Sequence, residues 1–107
     1  MISIEYNRKR HIVTIEGHAY SGEAGHDLVC SAASILAYTL ASHVETMHGN
    51  GHLREKVVEL EEGKATIKCK SKSEFRGAVT LIFDTICAGF DLLSTNYPDN
   101  VSYKISI

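Results

Sequence analysis

The chain has 107 residues, the size of one domain with one core, and 44% hydrophobic and 22% charged residues with eight glycines and one proline exclude disordered, collagenous and low-complexity classes. A formal net charge of −2 argues against a dedicated nucleic-acid binder. Cys30, Cys69 and Cys87 lie far apart without a CxxC pair, so neither a disulfide framework nor a zinc ribbon is expected, and the cytoplasm is the natural compartment. No uninterrupted apolar run approaches the roughly 18–20 residues of a membrane helix, and residues 1–11 do not read as a signal peptide.

Along residues 1–7, Ile2, Ile4 and Tyr6 alternate with Ser3, Glu5 and Asn7, the period of a half-buried strand. The basic residues Arg8, Lys9 and Arg10 read as a solvated hairpin tip. Alternation then resumes with Val13 and Ile15 and stops at Gly17-His18. Residues 19–26, with Gly22 and Gly25 and little to bury, read as a loop. Asp27 is an N-cap candidate for a helix whose apolar stripe is Val29, Ala33, Leu36, Leu40, Val44 and Met47. Gly49-Asn50-Gly51 ends it.

Residues 53–61 and 64–70, rich in Val, Ile and Thr, form a second hairpin through Glu62-Gly63, with Ala65, Ile67 and Cys69 on one face. Ser71 and Glu74 have capping-box spacing ahead of a helix striped with Phe75, Val79, Ile82, Ile86, Phe90 and Leu93. After Pro98, Val101, Tyr103, Ile105 and Ile107 alternate in a last strand. The order ββαββαβ implies a two-layer α+β single domain over residues 1–107, a five-stranded sheet with both helices on one face.

Chemistry concentrates between Gly17 and Ser34. Cys30 falls in the expected first helical turn, where unpaired N–H groups and the helix dipole favour a thiolate. The same N–H groups could receive an oxyanion. Cys30 lies about 80° from the centre of the apolar stripe, at the edge of the buried face. Small neighbours, Ser31, Ala32, Ala33 and Ser34, leave room for a ligand. An imidazole near a thiolate takes and returns its proton, and His18, fixed at a strand end, is the candidate. Taken from residues alone, a nucleophilic Cys30 and a buried structural Cys30 both remain open.

Gly17-His18-Ala19, Gly25, Asp27, Val29-Cys30, Ala32, Ser34 and Leu36 together resemble the signature of the ribosomal-processing cysteine proteases. The resemblance implies a Cys/His endopeptidase without a cofactor or metal, acting as a homodimer. The implied partner is a ribosomal protein peptide, with no nucleic acid or membrane partner. The family's substrate is protein twenty-seven of the bacterial large ribosomal subunit, trimmed of an N-terminal extension after an aromatic pair and before alanine. Cys30 would be the nucleophile and His18 the general base and acid. Asp27, Ser34, Gly17 and Gly25 would support them, and Ser31 and Ala33 would meet substrate. Asp27 is equally accounted for as an N-cap, and His26, four residues before Cys30, competes with His18 as proton acceptor.

Rival readings are weaker on chemistry. His18, His26, Asp27 and Cys30 could ligate a metal, but their spacing is not compact. His43, His48 and His52 suit a helix C-terminus. Cys69 and Cys87 read as packing residues, Cys87 near the edge of its stripe, and Tyr38 and Tyr97 as core or interface. A non-catalytic ribosome-associated interaction module remains the alternative to an enzyme.

Overall fold

Period-two alternation builds the strands and 3.6-residue spacing the helices of the computed structural model, which describes residues 1–18 and 24–107, with the backbone alone at 24–27. In chain order the elements are β1 (Ile2–Asn7), β2 (Ile12–Gly17), α1 (Ala24–Gly49), β3 (Leu53–Glu61), β4 (Lys64–Ser71), a 3₁₀ turn (Ser73–Phe75), α2 (Arg76–Asn96) and β5 (Val101–Ser106). The expected order ββαββαβ holds. Across the sheet the strands run β3-β4-β2-β1-β5, and only the β1–β5 pair is parallel.

Register converts the alternation into rows of apolar side chains. Ile105, Tyr6, Val13, Ile67 and Val58 line up across all five strands, as do Tyr103, Ile4, Ile15, Ala65 and Leu60. On that face α1 buries Val29, Ala33, Ala37, Leu40, Ala41, Val44 and Met47, and α2 buries Val79, Phe83, Cys87, Phe90 and Leu93. The buried line of α2 is therefore turned slightly from the expected stripe. Phe83 and Cys87 face the sheet, while Ile82 and Ile86 are only partly buried. The helices approach closely at Gly89, where a Cβ would lie 2.8 Å from a methyl of Leu36.

Each helix contains an 18-residue stretch long and apolar enough to cross a membrane, of mean hydropathy 1.3 within Leu28–Gly49 and 1.5 within Ser73–Asn96. Here their apolar stripes pack on the sheet.

Two helix starts differ from expectation. Ser71 completes the ladder opposite Leu53, and the Lys72 amide donates to the His52 carbonyl at 3.0 Å, so the backbone there is committed to the sheet. The helical region then begins through the 3₁₀ turn with no side-chain cap, and the Ser71–Glu74 capping box does not form. Helix α1 starts at Ala24, three residues before Asp27, which puts Asp27 inside the helical backbone rather than at its N-cap. Alanine's strong helix propensity favours the earlier start. Residues 19–23 of the expected loop lie outside the described residues.

The β1–β2 turn is not simply solvated. Arg8 donates to both carboxylate oxygens of Asp84 at 3.1–3.2 Å, and the Tyr6 hydroxyl donates to Asp84 Oδ1 at 2.8 Å. The Arg8 hydrogen bonds hold the Asp84 carboxyl below its usual range, against opposing desolvation. Burial, then the bond to Asp84, pushes the Tyr6 phenol up. Next to this cluster His11 takes a left-handed φ of 53° and is buried, with Nε2 2.7 Å from Thr80 Oγ1 and its ring against Phe83. Sequence periodicity gave no sign of this histidine.

Burial, followed by the Arg76 charge, lowers the His11 pKa from 6.5. The folded protein thus keeps His11 neutral where the unfolded chain protonates it. Its contribution is present above about pH 6.5 and is lost as pH falls toward the folded-state value. Urea unfolding between pH 7.5 and 5.5 should show a smaller loss of stability for His11→Asn than for the wild type. Asparagine tolerates the positive φ without titrating in this range.

Candidate active site

Strand β2 ends in a geometry that only glycine fits well. Gly17 has φ 98°, and a Cβ there would collide with the Met1 carbonyl oxygen. Its amide donates to the Gly63 carbonyl at 2.8 Å, which ties the end of β2 to the β3–β4 turn. The Met1 ammonium donates to the carbonyl of the next residue, His18, at 2.7 Å. Gly63 has φ 77°, and a Cβ there would lie 2.5 Å from His18 Nε2. The imidazole therefore lies across the turn, in space left by a missing side chain.

Opposite the turn, α1 presents Cys30, half-buried at the edge of the core. His18 and Cys30 line one cleft of about 410 Å³, together with Gly17, Ala33, Ser34, Tyr38, Leu60 and the turn residues 61–64. Ser31 is exposed and absent from this lining, so the small-residue wall is Ala33 and Ser34. Gly25 lies in the helical backbone, and the side chains of His26 and Asp27 lie outside the described residues. The rival metal set shares those side chains.

The start of α1 at Ala24 moves Cys30 from the first helical turn to the second. There its backbone N–H belongs to the helix ladder, and the dipole acts less strongly than at the terminus. A place on the wall of the cleft that His18 also lines, rather than at the helix end, becomes the main chemical feature of Cys30. The β3–β4 turn and Tyr38 enter the site unannounced. Gly63 signalled a turn in the sequence, but nothing local indicated that the turn would support His18. Tyr38, expected in a core or interface, is exposed, which excludes the core, and it borders the cleft.

The other cysteines are separated from this chemistry by burial. Desolvation pushes the Cys69 thiol up to about 11, and desolvation also takes Cys87 to about 12 against a hydrogen bond with Tyr103. At pH 7 such thiols are thiolate in only about one part in 10⁴ to 10⁵, and both are buried. Brief iodoacetamide treatment followed by peptide mapping should label Cys30 well ahead of Cys69 and Cys87. Equal labelling would remove the distinction. Replacing Gly63 with alanine should cost about 1–3 kcal/mol from the positive φ and displace the His18 ring. Chemical denaturation and the His18 imidazole NMR resonances check the two effects separately.

The sequence model of the family described as cysteine protease Prp matches residues 1–102. Comparison with curated protein sequences finds no significant match. Among solved structures, SMU.848 from Streptococcus mutans is 27% identical with a TM-score of 0.66, covering 97% of this chain and 90% of that one. The essential ribosomal processing protease Prp from S. aureus has been solved with a substrate peptide and with a covalently linked product peptide. It is 22% identical with a TM-score of 0.70, over 98% of this chain and 97% of that one, a likeness in fold. Since the family match spans nearly the whole chain, the protein belongs to the cysteine protease Prp family.

Proposed function

We propose that the chain is a cysteine endopeptidase that trims the N-terminal extension from protein twenty-seven of the bacterial large ribosomal subunit. Cleavage falls after an aromatic pair and before alanine, in the cytoplasm. The observation that carries this reading is that His18 and Cys30, twelve positions apart on different elements, line the same cleft. Family membership supports the reaction type, and the peptide complexes of the S. aureus protease support the substrate class.

In this reading His18 removes the proton from Cys30, and the thiolate sulfur attacks the scissile carbonyl carbon. The C–N bond of the tetrahedral adduct then breaks, with His18 returning the proton to the leaving amine. Water, deprotonated by His18, hydrolyses the thioester and regenerates the thiol. Ala33, Ala37, Tyr38 and Leu60 give the cleft apolar surface for the aromatic residues before the cut. Gly17 and Gly63 fix His18, and Ser34 and Asp27 support the helix side. Two copies would associate through exposed apolar side chains on the outer helix faces, among them Leu28, Ile35, Leu81 and Leu92.

A synthetic peptide spanning the aromatic-aromatic-alanine junction, analysed by mass spectrometry, tests the reaction. Wild type should cut once, before alanine, and Cys30→Ala should not cut while keeping the wild-type circular dichroism spectrum. His18→Ala should lose at least about 10²-fold in turnover, the usual size of a general acid–base contribution. A larger loss in His26→Ala would move the proton-transfer role to His26. A wild type that binds the peptide without cutting it would instead be a non-catalytic module.

A further inference from the structure

At the end of the sheet remote from the cleft, a trough of about 640 Å³ gathers charge that the net value conceals. Its lining holds seven of the chain's eleven lysines and arginines but, among the described residues, Glu55 as the only carboxylate. One of the seven, Lys56, is paired with Glu45 of α1. The other six, Lys9, Arg10, Arg54, Lys68, Lys70 and Arg76, are exposed. Arg76 is steadied by donating to the Lys9 carbonyl at 2.9 Å, and Lys70 lies 3.7 Å from the exposed Glu55.

The six come from separate parts of the fold. Lys9 and Arg10 project from the β1–β2 turn, Arg54 from β3, Lys68 and Lys70 from β4, and Arg76 from the start of α2. Lys68 and Lys70 share a strand face about 7 Å apart, as alternate residues must. Apart from Lys70, which pairs with Glu55, the other five have no carboxylate partner among the described residues, and a concave surface carrying such cations fits a polyanion with regularly spaced charges.

We propose that the trough docks the phosphate backbone of double-stranded RNA. Among the described residues its lining has no Phe or Tyr on which unstacked bases could lie, which favours a duplex recognised through phosphates over a single strand. The choice of RNA rests on the ribosomal substrate reading above, whereas the charge argument stands without it. Strand β2 runs from Ile12 in the trough to Gly17 in the cleft, about 17 Å at strand rise. Both sites can therefore be occupied together, with the duplex holding the enzyme near a substrate tail.

Fluorescence anisotropy with a labelled 16-base-pair RNA duplex tests the proposal, using a salt titration from 50 to 200 mM. A DNA duplex of equal length and poly-glutamate serve as the other arms. Wild type should bind the RNA with a steep salt dependence. Lys68→Gln/Lys70→Gln should weaken binding roughly tenfold or more and lower the log–log salt slope by about 2. Lys9→Gln/Arg10→Gln, on a turn rather than a strand, should do the same and guards against a folding defect. Both variants should cleave the junction peptide at the wild-type rate, so the catalytic reading is scored separately. Absence of RNA binding at 50 mM salt, unchanged binding by both variants, or tighter binding of DNA or poly-glutamate would overturn the proposal.

Discussion

The hydrogen bond from the Gly17 amide to the Gly63 carbonyl ties the end of β2 to the turn joining β3 and β4. Everything proposed for the site depends on that tie. Both residues sit at positive φ, and a side chain on either would collide with its neighbour, Met1 at one and His18 at the other. A pair of glycines thus lets a strand end and a turn meet closely enough to support an imidazole. The cost is the conformational freedom that glycine loses on folding. The benefit is a ring held on a sheet, with Cys30 supplied by a helix packed over that same sheet.

The opposite end of the β1–β2 hairpin is held by different physics. There Asp84 of α2 accepts hydrogen bonds from Tyr6 and Arg8, while His11 reaches Thr80. These polar contacts surround Phe83, whose ring packs against both Tyr6 and His11. They join residues roughly seventy to eighty positions apart and fix where α2 crosses the sheet. One hairpin therefore spans two unlike environments: a glycine-lined cleft at its open end and a hydrogen-bonded anchor at its turn.

Much of the architecture was legible because the chain obeys simple periodicities. Ile2, Ile4 and Tyr6 alternate as a strand must, and Val29, Ala33, Leu40, Val44 and Met47 recur as one helix face. His18 and Cys30 stand out by residue type and by the family signature, and the fold brings both to one cleft. Long-range features were not legible. No local signal placed β5 parallel to β1, put Gly63 beneath His18, or buried His11 under α2. Helix starts were not legible either, because Ser71 and Asp27 suit a cap by identity while the backbone commits Ser71 to the sheet and Asp27 to the helix. Ser31 was judged by size, but helical geometry turns it outward and leaves Ala33 and Ser34 facing the cleft. Net charge carries no information on where charges lie, and the value of −2 coexists with a trough lined by seven of the lysines and arginines.

The central claim is that His18 and Cys30 act as one unit. Comparing kcat/KM for Cys30→Ala, His18→Ala and the double variant on the junction peptide tests it most directly. Groups that work in the same step are strongly non-additive, because removing one leaves the other with little to do. The account predicts that the double variant is no slower than the worse single variant. Losses that multiply, with each residue contributing independently of the other, would contradict it.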